Sequence, residues 1–193
     1  MILKAGSTSW MEGTFPKIAR EMGLKLKSRA SIGKEFNVKS MDMLNKILER
    51  DPVSFANVRH PFERLVSAYI DKIKQWKKLR GKSWEEFLSA SPDQLYTEMN
   101  NHYRPDDAIC LFCNVNYKVI SKTETFDEDR SRILEMIGLQ EEKKPVRLHV
   151  HGGDQIGDLT KMYFRNTSQE VKTQLLDLYK YEFALFNYDK EMY

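Results

Sequence analysis

The stretch NVRHPFERLVSAY, residues 57–69, joins an apolar run to an amphipathic one and places Arg59, His60 and Pro61 at the junction. Arg59 falls at the carboxyl end of an expected strand, the edge at which open α/β sheets bind ligands. Its guanidinium is a planar fork that matches a phosphate. Ser67 follows about two helical turns on, so its hydroxyl would meet the same phosphate if the helix runs beside it. The plainer alternative is a salt bridge at Arg59 and a tight helix contact at Ser67.

A second candidate loop is KAGSTSW, residues 4–10, between the tail of a strand and a helix. Small residues there let backbone N–H groups converge on an anion, and a helix start adds a favourable dipole. Lys4 would add a point charge, and Ser7, Thr8 and Ser9 hydroxyl donors. The loop matches neither G-x-x-x-x-G-K-[ST] nor G-x-G-x-x-G, and an ordinary capped turn has the same composition. Four histidines, His60, His102, His149 and His151, supply the candidates for a general base. Cys110 and Cys113 stand as C-x-x-C, half of a structural zinc site. His149 and His151 would complete four ligands only at a spacing that fits no common zinc pattern, so a local disulfide or two packed thiols is expected and no metal.

The elements that must position these residues follow from periodicity. Residues 1–3 read as the tail of a strand, 8–22 as a helix stopped near Gly23, and 41–49 as a helix with Met41, Leu44, Ile47 and Leu48 on one side. Residues 53–58 and 117–121 read as strands. The clearest helix spans 61–79, with Phe62, Leu65, Val66, Tyr69, Ile70, Ile73, Trp76 and Leu79 on one stripe and Pro61 at its first position. Thr125 and Glu128 suggest a capping box for a helix carrying Phe126, Ile133, Leu134 and Ile137, stopped by Gly138. Residues 140–160, with Gly152, Gly153 and Gly157, read as a mobile loop. Thr167 and Glu170 suggest a second capping box, for a helix burying Val171, Leu175, Leu178, Tyr179, Phe183 and Phe186. Strands alternating with helices imply an α/β fold with a parallel sheet.

The bulk properties agree. The chain has 193 residues, 41% hydrophobic and 11% aromatic, which suits one globular domain over 1–193 with a real core. No run of about 18 apolar residues is present, and Met1-Ile2-Leu3 is too short for a signal-peptide apolar region. Residues 1–82 hold 18 Lys/Arg against 8 Asp/Glu, while 83–193 hold 13 against 20. A basic half suggests an anionic ligand or partner, and segregated surface charge is the alternative.

Taken in order, these motifs resemble the Golgi carbohydrate sulfotransferases. KAGSTSW is similar to their 5′-phosphosulfate loop, and VRHPFERLVSAYIDK, 58–72, to their 3′-phosphate strand and helix. NNHY (100–103), CLFCNVNYKVISKTETFDED (110–129) and LLDLYKYEFALFNYD (175–189) resemble blocks of the chondroitin/dermatan 4-O-sulfotransferase and HNK-1 sulfotransferase group. The resemblance implies the P-loop NTPase-like sulfotransferase fold, with a parallel central sheet flanked by helices. The implied donor is PAPS, 3′-phosphoadenosine 5′-phosphosulfate, with PAP as product and no metal.

By the same resemblance Arg59 and Ser67 hold the donor's 3′-phosphate. Lys4 and the backbone of Ala5, Gly6, Ser7, Thr8 and Ser9 hold its 5′-phosphosulfate. Lys4 also stabilises the leaving phosphate, and His102 matches a family histidine suited to be the base. Glu63 is a second candidate base. Lys122, Glu124 and Thr125 would line the cleft, with a helix cap the other role for Thr125. The basic run Lys72, Lys74, Lys77, Lys78, Arg80 and Lys82 would draw in an acidic glycan rather than nucleic acid. The expected acceptor is a GalNAc 4-hydroxyl of chondroitin or dermatan. A uronyl 2-O-sulfotransferase, or an inactive polyanion-binding module of the same fold, is the alternative. The strand before Lys4 is short, so the domain is expected to be amino-terminally incomplete, with the family's membrane anchor absent. Ser121 stands where glycine is common. The family works in the Golgi lumen, and the sequon Asn166-Thr167-Ser168 agrees with that.

Overall fold

The structure, a computed structural model, describes residues 9–21, 23, 40–50, 53–75, 81–88, 102–110, 112, 115–139 and 155–193. Its centre is a pair of parallel strands, β1 (Phe55–Val58) and β2 (Val119–Lys122), in the register Phe55↔Val119 to Val58↔Lys122. Parallel neighbours need a long crossover, and helix α3 (Pro61–Gln75) begins that crossover directly after β1. The expected strands are thus present, each shortened or shifted by a residue or two. Residues 1–3 lie outside the described residues.

Side chains alternate across the sheet, and each face has its own apolar layer. On one face Phe55 and Val119 meet Trp10, Phe126 and Ile133. Trp10 stands 4.4 Å from Phe55 and 5.9 Å, edge-on, from Phe126, ring centre to ring centre. Trp10 belongs to a π-helical turn, Ser9–Thr14, that runs into helix α1 (Phe15–Glu21). Gly23 ends this stretch at φ 73°, a left-handed conformation that costs glycine least. Thr14 accepts a 2.9 Å hydrogen bond from Arg130 Nε, which ties the turn to helix α6, Phe126–Met136. On the other face Val58 and Ile120 meet Phe112, Phe186 and Tyr188.

A larger helical core lies beside the sheet. Phe62, Leu65, Val66 and Tyr69 of α3 pack with Trp84 and Phe87 of helix α4 (Trp84–Leu88). Helices α7 (Ile156–Arg165), α8 (Gln169–Leu178) and α9 (Lys180–Leu185) complete this core through Phe164, Leu175 and Phe183. Phe62 stacks on Phe164 with centroids 4.4 Å apart. Helix α2 (Met41–Leu48) forms as expected, started by Ser40, whose Oγ accepts from the Met43 N–H, but it buries no side chain. A short helix, α5 (Asp107–Cys110), precedes Phe112.

Three sequence expectations need correction. Residues 156–160, the end of the expected loop, open helix α7. Ile156, Leu159, Thr160, Tyr163 and Phe164 repeat at helical spacing, and the neighbouring glycines masked that repeat. The capping boxes do not form. Thr125 Oγ1 donates to Asp129 Oδ2 at 2.6 Å instead of accepting at the helix start. At α8 the cap is Ser168, whose Oγ accepts from the Val171 N–H, while Thr167 accepts from Trp84 Nε1 and donates to the Tyr163 carbonyl. The closing helix divides at Tyr179 into α8 and α9. Gly138 does stop α6. At φ 74° it donates to the Glu135 carbonyl while Leu139 donates to that of Leu134, a Schellman closure. No described helix is long and apolar enough to cross a membrane.

Candidate anion site

The turn from β1 into α3 places Arg59 and His60 against the carboxy-terminal segment. Arg59 is largely buried, and its Nε lies 3.5 Å from Glu63 Oε2, one helical turn on. The other carboxylate oxygen, Glu63 Oε1, accepts a short hydrogen bond from the Tyr193 hydroxyl. Burial raises the Glu63 pKa, and the Tyr193 hydrogen bond and the Arg59 charge hold it down in part. Ser67 is half-buried one further turn along α3, so residues 59, 63 and 67 follow one side of the chain at four-residue spacing. Helix α7 closes in from beside them: a Cβ on Gly157 would sit 3.5 Å from the Tyr193 hydroxyl and 3.8 Å from Glu63 Oε1.

His60 has a structural role. It is 2% exposed. Its Nδ1 accepts from the Phe62 N–H at 3.2 Å, so its proton resides on Nε2, 3.1 Å from the Asp189 carbonyl oxygen. Burial lowers its pKa, while the Asp189 carbonyl and the charges of Glu124 and Asp189 oppose that. A neutral ring with both nitrogens engaged cannot take a proton from an acceptor. The His60 N–H approaches Glu124 Oε1 at 3.4 Å, which brings the Lys-x-Glu-Thr block to the same turn. The Lys122 ammonium donates to the Phe186 carbonyl at 2.7 Å and lies 4.6 Å from the centre of the Tyr188 ring, so it ties β2 to the carboxy-terminal segment.

His102 is half-buried in the turn before α5. That turn is held from beneath by an ion cluster the sequence reading missed. Arg64 is fully buried and donates through Nη2 to both oxygens of Glu182, at 2.6 and 2.8 Å. Its Nη1 donates to the Arg104 carbonyl at 2.6 Å and lies 3.2 Å from Asp106 Oδ1. Glu182 also accepts from the Asp106 N–H, and Tyr179 donates to the Tyr103 carbonyl at 2.7 Å. Burial works against the Arg64 charge, but the two carboxylates prevail and keep the guanidinium protonated. Burial pushes both carboxylates up, against the pull of Arg64. One signal was available: Glu182 falls on the apolar stripe of the closing helix, four residues after Leu178 and four before Phe186, whereas Arg64 lies off the apolar stripe of α3.

Among the other expected site residues, Ser9 is buried at the start of the π-helical turn. Lys4, Ala5, Gly6, Ser7 and Thr8 lie outside the described residues, as do His149, His151 and Cys113. Ser121, beside Asn57 in the strand register, is fully buried, and its hydroxyl has no hydrogen-bond partner among the described residues.

Residues 2–189 match the sulfotransferase family, and the chain belongs to it. Among its relatives is carbohydrate sulfotransferase 11 of Mus musculus, 28% identical over 189 residues, which cover 83% of this chain and 53% of that protein. Carbohydrate sulfotransferase 9 of Homo sapiens is 28% identical over 160 residues, 68% of this chain and 36% of its own length. Carbohydrate sulfotransferase 14 of Danio rerio is 26% identical over 158 residues, 69% and 43%. The chain thus spans about half the length, or less, of these relatives. No solved structure matches it significantly.

Proposed function

We propose that the chain is the catalytic part of a PAPS-dependent carbohydrate O-sulfotransferase acting on a glycosaminoglycan-like acceptor, with the GalNAc 4-hydroxyl of chondroitin or dermatan as the preferred position. The observation that carries this reading is Arg59, held at the carboxyl end of β1 with Ser67 further along α3, in a chain of this family. The relatives, carbohydrate sulfotransferases by name, favour a carbohydrate acceptor, and the Cys110-Cys113 block favours the 4-O group over a uronyl 2-O enzyme.

In this reading the Arg59 fork and the Ser67 hydroxyl hold the 3′-phosphate and fix the donor's register. Lys4 and the backbone of Ala5, Gly6, Ser7, Thr8 and Ser9 hold the 5′-phosphosulfate. The acceptor oxygen attacks sulfur in line, the bond from sulfur to the bridging phosphate oxygen breaks, and PAP leaves with the electron pair. Charge growing on that oxygen is met by Lys4 and the loop amides. The hydroxyl proton passes to His102 as general base. The reaction belongs in the Golgi lumen, as the family resemblance implies.

The test is transfer of labelled sulfate from PAPS to desulfated chondroitin by the full chain, with desulfated heparan as the competing acceptor. Labelled chondroitin whose label lies at the GalNAc 4-position, formed by wild type and lost in Arg59→Ala and Lys4→Ala, is the expected result. Preferential labelling of heparan favours the uronyl enzyme, and absence of turnover by a chain that binds PAP favours a binding module.

A further inference from the structure

Residues 102–106 form neither helix nor strand, so their buried peptide groups need partners from elsewhere. Three of those groups are met by side chains from the core. The Tyr179 hydroxyl, at the joint between α8 and α9, donates to the Tyr103 carbonyl at 2.7 Å. Arg64 Nη1 donates to the Arg104 carbonyl at 2.6 Å, and Glu182 Oε1 accepts from the Asp106 N–H at 2.7 Å. Glu182 is itself held by Arg64 Nη2, which reaches both of its oxygens. Arg64, Tyr179 and Glu182 are each at most 1% exposed. Apolar side chains of similar volume would fill this space without burying charge, but they could not fix a turn by its peptide groups. The Tyr103 ring adds a packing contact, 5.4 Å from that of Phe87, centre to centre. His102 adjoins the first of the fixed peptides and is half-buried, so its place is set from inside the core.

We infer that Tyr179, Arg64 and Glu182 are positioning residues for His102: by fixing the backbone at Tyr103, Arg104 and Asp106 they set where the His102 imidazole stands when it takes the acceptor's proton. The inference rests on the reading of His102 as general base and deepens it. It makes the junction of α8 and α9 the support of the proton-accepting side of the site, separate from the Arg59 turn that serves the donor.

The experiment uses Tyr179→Phe, which keeps the ring in the core and removes only the hydroxyl. Transfer of labelled sulfate from PAPS to desulfated chondroitin is measured for wild type, Tyr179→Phe, His102→Ala and the double variant. In Tyr179→Phe kcat is expected to fall about tenfold, for a base displaced by a fraction of an ångström, with the affinity for PAP unchanged. The double variant should be no slower than His102→Ala, because the lost hydrogen bond acts only through the imidazole. Without nucleotide, amide exchange at Asp106 should quicken about tenfold in Tyr179→Phe, the scale of one hydrogen bond. A kcat equal to wild type, or unchanged exchange, overturns the inference. So do losses that multiply in the double variant, or an equal loss of PAP affinity, which marks a general packing defect. If His102→Ala turns over like wild type, or wild type does not turn over, the base reading itself fails and the inference falls with it.

Discussion

Two buried basic side chains hold opposite charge states because of their surroundings. His60 stands next to Arg59 in the turn from β1 into α3 and is buried, neutral and bonded on both nitrogens. Its pKa lies below the ordinary 6.5, so as pH falls the unfolded chain takes the proton first. The stability this group contributes is complete above about pH 6.5 and is lost as pH falls through the folded pKa. Melting curves between about pH 7.5 and 5.5 should therefore be flatter for His60→Gln than for wild type, by about 1 kcal/mol over that window. Parallel slopes would contradict a buried neutral ring. Asp106 and Glu182 shift in the opposite sense, so the comparison of variants isolates His60. Arg64 is the second case. Removing it leaves two buried carboxylates unpaired, and Arg64→Ala should lose about 3–5 kcal/mol in urea denaturation. A loss below about 1 kcal/mol would mean that water already reaches the cluster.

At the scale of elements, sequence periodicity was most informative where an apolar stripe and a stop signal agreed. The strand-to-helix turn at 58–61 and the helix over 126–136 are of that kind. Gly138 donates to the Glu135 carbonyl at φ 74°, with no atom of the described residues within 4 Å of a would-be Cβ. Gly138→Ala should therefore cost about 1 kcal/mol in thermal denaturation, from backbone conformation alone. No change would show that the turn relaxes at no cost. Composition misled where it competed with periodicity, as at 156–160, where glycines hid the start of a helix. Caps were misplaced because a threonine near a helix start has rival partners. Asp129 takes the Thr125 hydroxyl, and Trp84 and Tyr163 engage that of Thr167. Such long-range partners, like the pairing of Arg64 with Glu182, are set by tertiary packing and cannot be assigned from local sequence.

Across the whole molecule, α3 links two regions that have different duties. Its first turn carries Glu63 beside Arg59, and the next residue, Arg64, anchors the 103–106 segment from inside the core. A parallel β1–α3–β2 arrangement, with Arg59 at the strand's carboxyl end, was legible from the order of motifs. The engagement of the chain end, through Lys122 on Phe186 and Tyr193 on Glu63, was not, because both contacts join residues far apart in sequence. The central claim is that Arg59 reads the donor's 3′-phosphate. Calorimetric titration of PAP into wild type and Arg59→Ala tests it most directly. Binding by wild type that weakens about a hundredfold in the variant is the predicted result, since a bidentate charged contact is lost. Equal binding by both proteins, or no binding by a folded wild-type chain, would contradict it.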